Sequence, residues 1–156
     1  MKIELIQVGK TTESYLKEGV LMYENRVKKY ISFEVKTMPE LRNASSMSID
    51  QQKLAEGKTI LDQIEASDYV VLLDERGEEF TSTGFADFIQ KRMLTSLKKL
   101  IFVIGGPYGF SPACYERANL RIALSKMTFS HQMVRLVFNE QLYRAMTILK
   151  NEQYHH

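Results

Sequence analysis

The hydrophobic and polar positions of the chain follow two periodicities, one typical of strands and one typical of helices. Five segments have strand character, because their apolar residues either alternate with polar ones or form a short continuous run. They are Lys2–Val8, Phe33–Met38 and residues 68–74, 100–104 and 120–125. Residues 75–79, which read Glu-Arg-Gly-Glu-Glu, are predicted as a turn.

Between the strands, apolar residues recur at the three- and four-residue spacing of amphipathic helices. This spacing predicts helices over residues 13–29, from residue 49 onward, after residues 81–83, over Pro112–Arg117 and over residues 131–151, with a polar loop at 41–50. Strands that alternate with helices predict an α/β fold, a mostly parallel sheet with helices on both faces. No linker or internal repeat interrupts residues 1–156, so we expect a single domain.

The last predicted helix has an unusually wide apolar face. Its central stripe is flanked by further apolar residues, and the whole face consists of Val134, Val137, Phe138, Leu142, Ala145, Met146, Ile148 and Leu149. Such a face covers about half of the helix, whereas a stripe of about 100° is usual. Deep burial within one chain would explain it. We favour the alternative, in which the helix is buried against its own sheet and also against a second subunit, and expect a homodimer.

Composition excludes several classes of protein. Hydrophobic residues make up 44% of the chain and the net charge is only +2, as in an ordinary globular protein. A single cysteine excludes an internal disulfide. One cysteine and three histidines are too few ligands for a typical structural zinc site, so we expect no metal. The first residues lack the apolar core of a signal peptide, and the uncharged run 100–114 is broken by glycine and proline. We expect a cytoplasmic protein.

Two loops that follow predicted strands have the composition of a ligand site. Glycines at 105, 106 and 109 follow the fourth strand, where they either form a tight turn or expose backbone N–H groups to a ligand. The second loop, residues 125–130, mixes hydroxyl groups with Met127 and Phe129. The glycine spacing differs from that of dinucleotide-binding proteins, and no acidic residue follows between Glu116 and Glu140. A nicotinamide or flavin site is therefore disfavoured.

The interval without acidic residues contains five basic side chains, which are Arg117, Arg121, Lys126, His131 and Arg135. A basic patch on a nearly neutral protein suits the phosphates of a nucleic acid, although solvated charges that merely cluster would look the same. His131 stands alone at a helix start, so it is either a structural hydrogen-bonding group or a catalyst. No serine, histidine and aspartate are arranged as in a catalytic triad.

In these loops and in several other segments, the chain resembles a known protein family. The similarity is carried by the opening strand, the segment Val-Val-Leu-Leu-Asp at 70–74, the segments 100–111 and 123–145, and the terminal Tyr-His. Together, in this order, they resemble the large-subunit ribosomal RNA methyltransferase H family of the SPOUT superfamily. The resemblance implies a C-terminal trefoil knot, S-adenosylmethionine as cofactor, and a homodimer. It further implies methylation of N3 of a pseudouridine in 23S ribosomal RNA of the assembled ribosome.

The resemblance also implies the positions that bind the cofactor, although Ser130 departs from the family by replacing a proline. These positions are Leu73, Gly105, Leu124, Ser125, Lys126, Met127, Thr128 and Phe129. For catalysis we expect Arg135 and Arg144 to face RNA, where they hold phosphate or stabilise the N3 anion. We expect a proton relay through His131, Tyr154 or His155, with the last two contributed by either subunit. Two alternatives stay open, which are a methyltransferase acting on tRNA or a ribose hydroxyl, and a ribosome-binding factor without enzymatic activity.

Overall fold

The computed structural model describes residues 1–156 as five strands and five α-helices. The strands are β1 (Lys2–Val8), β2 (Phe33–Met38), β3 (Tyr69–Glu79), β4 (Lys99–Ile104) and β5 (Leu120–Ala123). The helices are α1 (Ser14–Val27), α2 (Ile49–Leu61), α3 (Ser82–Met93), α4 (Pro112–Arg117) and α5 (Met133–Leu149). The polar loop before α2 contains one 3₁₀ turn, Ala44–Ser46. Every element predicted from the periodicities is present.

The strands form one parallel sheet in the order β2-β1-β4-β3-β5. Helices α1, α3 and α5 pack on one face of this sheet, and α2 and α4 pack on the other. The sheet is therefore covered on both sides, which explains why β3 and β4 begin with continuous apolar runs. The α/β prediction is confirmed. Because all strands are parallel, the loops after β3, β4 and β5 emerge at the same edge of the sheet.

The predicted turn at 75–79 is wrong, because β3 continues through Glu79. Leu73 and Glu78 both align with Ile122 of β5, so the residues between them bulge out of the ladder. Gly77 permits this geometry, since a Cβ there would lie 2.6 Å from the backbone nitrogen of Ile122. The bulge gives the edge of the sheet an extra loop next to the loops after β4 and β5.

The wide apolar face of α5 is explained within a single chain. Helix α5 packs against the sheet and contacts both α1 and α3. Phe138, Leu142, Ala145 and Met146 are buried by these contacts, and the flanking apolar residues are partly buried. The width of the face therefore does not require a second subunit, and the homodimer stays a prediction on other grounds.

Candidate active site

A cavity of about 310 Å³ lies at the edge of the sheet where β3, β4 and β5 end. We call it the strand-end cavity. Its wall is built from the ends of these strands, the loops that follow them and the first turn of α5. The lining residues are Leu73, Asp74, Glu75, Ile104, Gly105, Gly106, Pro107, Gly109, Phe110, Ile122, Leu124, Ser125, Met127, Thr128, Phe129, Ser130, His131 and Val134.

The glycine loop after β4 forms one side of this cavity. Gly109 has a φ of +85°, a conformation that side chains other than glycine rarely adopt. A Cβ on Gly105 would lie 3.0 Å from the ring of Phe110, which is itself 4% exposed. The absence of that Cβ lets the Phe110 ring close the base of the cavity. The loop is therefore both a turn and a wall of the cavity, and the two interpretations of its glycines are compatible.

The other side of the cavity is joined by hydrogen bonds between loops. The Thr128 hydroxyl donates to Glu75 Oε2 at 2.7 Å, which connects the loop after β5 to the bulge in β3. Asp74 accepts from the Tyr115 hydroxyl at 2.5 Å and from the Arg76 backbone at 2.9 Å. Arg76 Nε lies 4.0 Å from Asp74 Oδ1 and partly offsets its charge, whereas Glu75 has no basic partner, so the cavity wall keeps a negative charge.

The charges of the cavity favour a cationic ligand. Asp74 and Glu75 line it, and no lysine or arginine does. All of the residues predicted from the resemblance to bind the cofactor lie in the lining except Lys126, whose side chain is exposed. Sequence reasoning missed Asp74, Glu75 and Phe110, although the acidic pair directly follows the apolar run 70–73 and that position was a usable signal.

Arg135 is completely buried, so the expectation that it faces RNA is wrong. Its guanidinium donates to the carbonyl oxygens of Val8 at 2.7 Å, Gly9 at 2.9 Å and His131 at 3.1 Å, and to the Thr11 hydroxyl at 3.1 Å. Burial lowers the pKa of Arg135, and the nearby Glu40 carboxylate partly opposes this effect. Arg135 joins the end of β1 to the first turn of α5.

The remaining basic residues of the segment do not form one surface. Arg117 donates to the carbonyl oxygens of Glu65 and Asp68 at 2.7 and 3.0 Å, so it has a structural role. Arg121 lies over the Tyr115 ring, 5.4 Å from its centroid. His131 borders the strand-end cavity. Neighbours in sequence are thus separated in space, and the predicted basic patch is not a single site.

Three of the residues predicted for catalysis come together at the other end of α5. The Glu140 carboxylate accepts from Arg144 Nη2 at 2.7 Å and from the Tyr154 hydroxyl at 2.9 Å. Arg144 also lies 3.2 Å from His155 Nδ1 and stacks over the Tyr154 ring. We call Glu140, Arg144, Tyr154 and His155 the tail cluster. The Tyr23 hydroxyl of α1 lies 3.3 Å from that of Tyr154 and completes the network.

The tail cluster does not line the strand-end cavity of its own chain. Val134 marks the end of α5 that borders the cavity, and Arg144 follows about 15 Å further along the helix. Burial, followed by the hydrogen bonds with Tyr23 and Glu140, raises the pKa of Tyr154. Its phenolate is therefore not populated near neutral pH, so Tyr154 is suited to donate a hydrogen bond and unsuited to remove a proton.

Two further classes of site have no counterpart in the structure. No group of three or more histidine, cysteine, aspartate or glutamate side chains is placed to hold a metal ion. None of the helices combines the length and apolar character that crossing a membrane requires.

Comparison with known proteins identifies the family. A family model described as "Predicted SPOUT methyltransferase" matches residues 1–155. The proteins named "Ribosomal RNA large subunit methyltransferase H" from Christiangramia forsetii and Cytophaga hutchinsonii are each 56% identical over all 156 residues and are covered to 99% and 100%. Their counterpart from Parabacteroides distasonis is 54% identical over the same length.

Solved structures agree with this result at the level of the fold. A probable methyltransferase from Bordetella pertussis superimposes with a TM-score of 0.60, covering 93% of this chain and 94% of its own, at 12% identity. Such a low identity supports the fold alone. The match of the family model over nearly the whole chain decides the matter, and the chain belongs to the SPOUT methyltransferase family.

Proposed function

We propose that the protein transfers a methyl group from S-adenosylmethionine to large-subunit ribosomal RNA, at N3 of a pseudouridine in the assembled ribosome. The observation that carries this proposal is the 56% identity, over the full length of both chains, with proteins named for methylation of large-subunit ribosomal RNA. The nucleotide and the atom follow from the family resemblance of the loops around the strand-end cavity.

The strand-end cavity fits the cofactor in charge and in shape. The cofactor is a sulfonium cation that supplies the methyl group, and Asp74 and Glu75 give the cavity the opposite charge. Leu73, Leu124 and Phe129 offer apolar surface to an adenine ring, and backbone groups of residues 124–129 offer hydrogen bonds to its edge. Thr128 and Glu75 would hold the two sides of the cavity together around the ligand.

The roles of the residues predicted for catalysis follow from their positions. His131 lines the cavity, and we expect it to contact the target nucleotide next to the bound cofactor. Arg144 is partly exposed and stabilises negative charge that develops on the base as its N3 proton leaves. Tyr154 donates a hydrogen bond, and His155 lies beside the Arg144 guanidinium, where it completes the same surface.

The distance between the tail cluster and the cavity supports a site formed by two chains. In a homodimer, the tail cluster of one chain would face the strand-end cavity of its partner. Three large apolar side chains on α1, the helix beside α5, are exposed and supply a surface for dimer formation, and they are Tyr15, Leu21 and Met22 at 61%, 55% and 41% exposure.

Mixed dimers test this arrangement. Arg144→Ala removes the tail cluster's cation, and Gly105→Val weakens cofactor binding, so each variant alone should have little activity when the cofactor is limiting. When both variants are mixed, one site of each heterodimer combines an intact cavity with an intact tail cluster. Activity should therefore return to about a quarter of the wild-type level, because half of the dimers are mixed and one of their two sites is complete. No recovery despite measured subunit exchange would place the complete site within one chain.

The reaction itself is tested with ribosomes from a strain that lacks this gene. Tritiated methyl groups should enter the large-subunit RNA, and mass spectrometry of its nucleosides should give N3-methylpseudouridine. Modification of tRNA or of a ribose hydroxyl would redirect the proposal to another substrate. The absence of cofactor binding at millimolar concentration in calorimetry would favour a ribosome-binding factor without activity.

Assembled ribosomes should be better substrates than naked RNA. The chain has a net charge of +2 and its basic residues do not form one patch, so it has little surface for the phosphates of an isolated stem-loop. Efficient methylation of the isolated stem-loop would contradict this expectation. We place the reaction in the cytoplasm, and the trefoil knot implied by the family stays a prediction.

A further inference from the structure

A second cavity of about 270 Å³ borders the glycine loop. Gly106, Pro107 and His131 line both this cavity and the strand-end cavity, so the two cavities meet along these residues. The remaining lining residues come from the end of β1, the loop before α2 and α2 itself, and they are Val8, Glu40, Leu41, Ala44, Gln52 and Glu56. We call it the glutamate cavity.

Glu56 occupies an unusual position in this cavity. Its carboxylate lies against the glycine loop, because a Cβ on Gly106 would be 2.4 Å from each of its oxygens. None of the ion pairs and side-chain hydrogen bonds of the chain includes Glu56. Burial raises the pKa of Glu56 from its usual value of 4.5. The Glu56 carboxylate has no protein partner in this cavity and is therefore available to a ligand.

The chemistry of the glutamate cavity suits a nucleobase better than a phosphate. It is lined by two carboxylates, and no lysine or arginine lines it. Carboxylates repel phosphate and accept hydrogen bonds from N–H groups. A uracil-type ring presents an imide N–H at N3, and the C-linked isomer in pseudouridine presents a second N–H at N1. The apolar side chains of Val8, Leu41 and Ala44 provide contact for the faces of such a ring.

We propose that the glutamate cavity receives the target pyrimidine and that the Glu56 carboxylate accepts its N3 proton. This role rests on the proposed function and names the general base of that reaction. Gly106 and Pro107 border both cavities, which brings Glu56 next to the cavity of the methyl donor, and the absence of a side chain on Gly106 lets Glu56 reach the boundary where the two cavities meet.

The proposed step balances in atoms and charge. The N3–H bond breaks, and its proton passes to a Glu56 oxygen. The electron pair left on N3 forms the bond to the methyl carbon, while the carbon–sulfur bond breaks and its pair stays on sulfur. The sulfonium charge and the carboxylate charge both disappear, and Glu56 then releases its proton to solvent. No oxidant, reductant or metal is required.

The surroundings of Glu56 support this role. The groups that face it are the Cys114 thiol from α4, His131 from the start of α5 and the Glu40 carboxylate after β2. None of them is a fixed cation, so Glu56 is not held in its charged form by an ion pair. A general base works best when its pKa lies nearer the working pH, and the burial of Glu56 moves its pKa in that direction.

The first test replaces Glu56 by glutamine, which keeps the shape and removes the base. Single-turnover methyl transfer to ribosomes should fall about 100-fold or more, while calorimetric affinity for the cofactor and sedimentation with ribosomes stay unchanged. Asp50→Asn is the matched control, an acid-to-amide change at an exposed position of the same helix, and should transfer at the wild-type rate. Weaker cofactor binding in Glu56→Gln would show that Glu56 holds the cofactor, and would overturn the proposal.

The dependence of the rate on pH separates a base from a positioning group. In the wild type the rate should rise with pH through the pKa of Glu56 and then level. In Glu56→Gln the rate should continue to rise tenfold per pH unit, because the pyrimidine must then lose its N3 proton without a general base. Profiles of the same shape would overturn the role of Glu56 and leave the methyltransferase assignment intact. Absence of transfer by the wild type would overturn the proposed function, and the role of Glu56 with it.

A final readout does not depend on activity. Carbon-13 resonances of labelled glutamate carboxyls in the cofactor-free protein should include one that titrates with a pKa above 4.5. This resonance should be absent in Glu56→Gln. Titration of that carboxyl at the ordinary value of 4.5 would remove the basis for proton acceptance.

Discussion

The Tyr154 hydroxyl and Arg144 Nη2 bind the same oxygen of Glu140, at 2.9 and 2.7 Å. One carboxylate oxygen of α5 therefore fixes both the C-terminal tail and the guanidinium next to it. His155, the next residue of the tail, is held 3.2 Å from Arg144 by the same arrangement. The position of the tail depends on a few hydrogen bonds, because the polar residues 151–153 that precede Tyr154 are exposed.

Tyr154→Phe should loosen the tail with little effect on the rest of the fold. Loss of one hydrogen bond should lower the free energy of unfolding by about 1 kcal/mol in urea denaturation. Turnover should fall more than cofactor affinity, because the tail cluster is remote from the cavity of its own chain. A fall of equal size in both quantities would mean that the tail contacts the cofactor.

Arg135→Lys and Arg135→Ala should reduce stability, with no separate effect on ribosome binding. Alanine leaves three carbonyl oxygens without donors and creates a void, so the free energy of unfolding should fall by about 3 kcal/mol or more. Lysine keeps the charge but cannot reproduce the fork of the guanidinium, so it should recover only part of the loss. An Arg135→Lys protein of wild-type stability that no longer sediments with ribosomes would restore the RNA-contact hypothesis.

Gly105→Val should weaken cofactor binding through Phe110. The Cβ alone would lie 3.0 Å from the ring, and the larger side chain must displace it from the base of the cavity. Calorimetric affinity should fall tenfold or more, about 1.4 kcal/mol, with a stability loss of about 1–3 kcal/mol. Gly84→Ala in α3 adds a methyl group at a residue that does not line the cavity, and it serves as control. Wild-type affinity in the valine variant would show that Phe110 does not shape the bound state.

The stability of the protein should depend on pH through Glu56. Burial raises its folded-state pKa above 4.5, so the folded protein binds this proton more tightly than the unfolded chain. The resulting stabilisation is fully present below about pH 4.5 and is lost as pH rises through the folded-state pKa. Glu56→Gln lacks this dependence and should gain stability relative to the wild type towards neutral pH. A difference in free energy of unfolding that stays constant across pH would contradict the raised pKa.

Sequence patterns predicted the helices, the strands and the main cavity, because each of these follows from the pattern of neighbouring residues along the chain. Hydrophobic periodicity identifies strands and helices, and parallel strands bring their carboxyl-end loops together. The continuation of β3 through Gly77 was missed, since its turn-like composition gives no sign that β5 pairs with it from more than 40 residues away.

The errors at single residues have a different cause, because a sequence gives charge and not burial. Arg135 looks like an RNA contact in the sequence, yet the carbonyl oxygens that surround it come from β1 and the following loop, far away in the chain. Glu56 looks like one of many solvated helix residues. Its significance appears only when the helix α2 is packed against Gly106.

The wall formed by Gly106 and Pro107 makes the two cavities thermodynamically linked. A ligand that moves this wall changes the shape of both cavities, so cofactor and nucleotide must alter each other's affinity by the same factor. A shift of Gly106 or Pro107 on cofactor binding would therefore reshape the cavity proposed to receive the nucleotide.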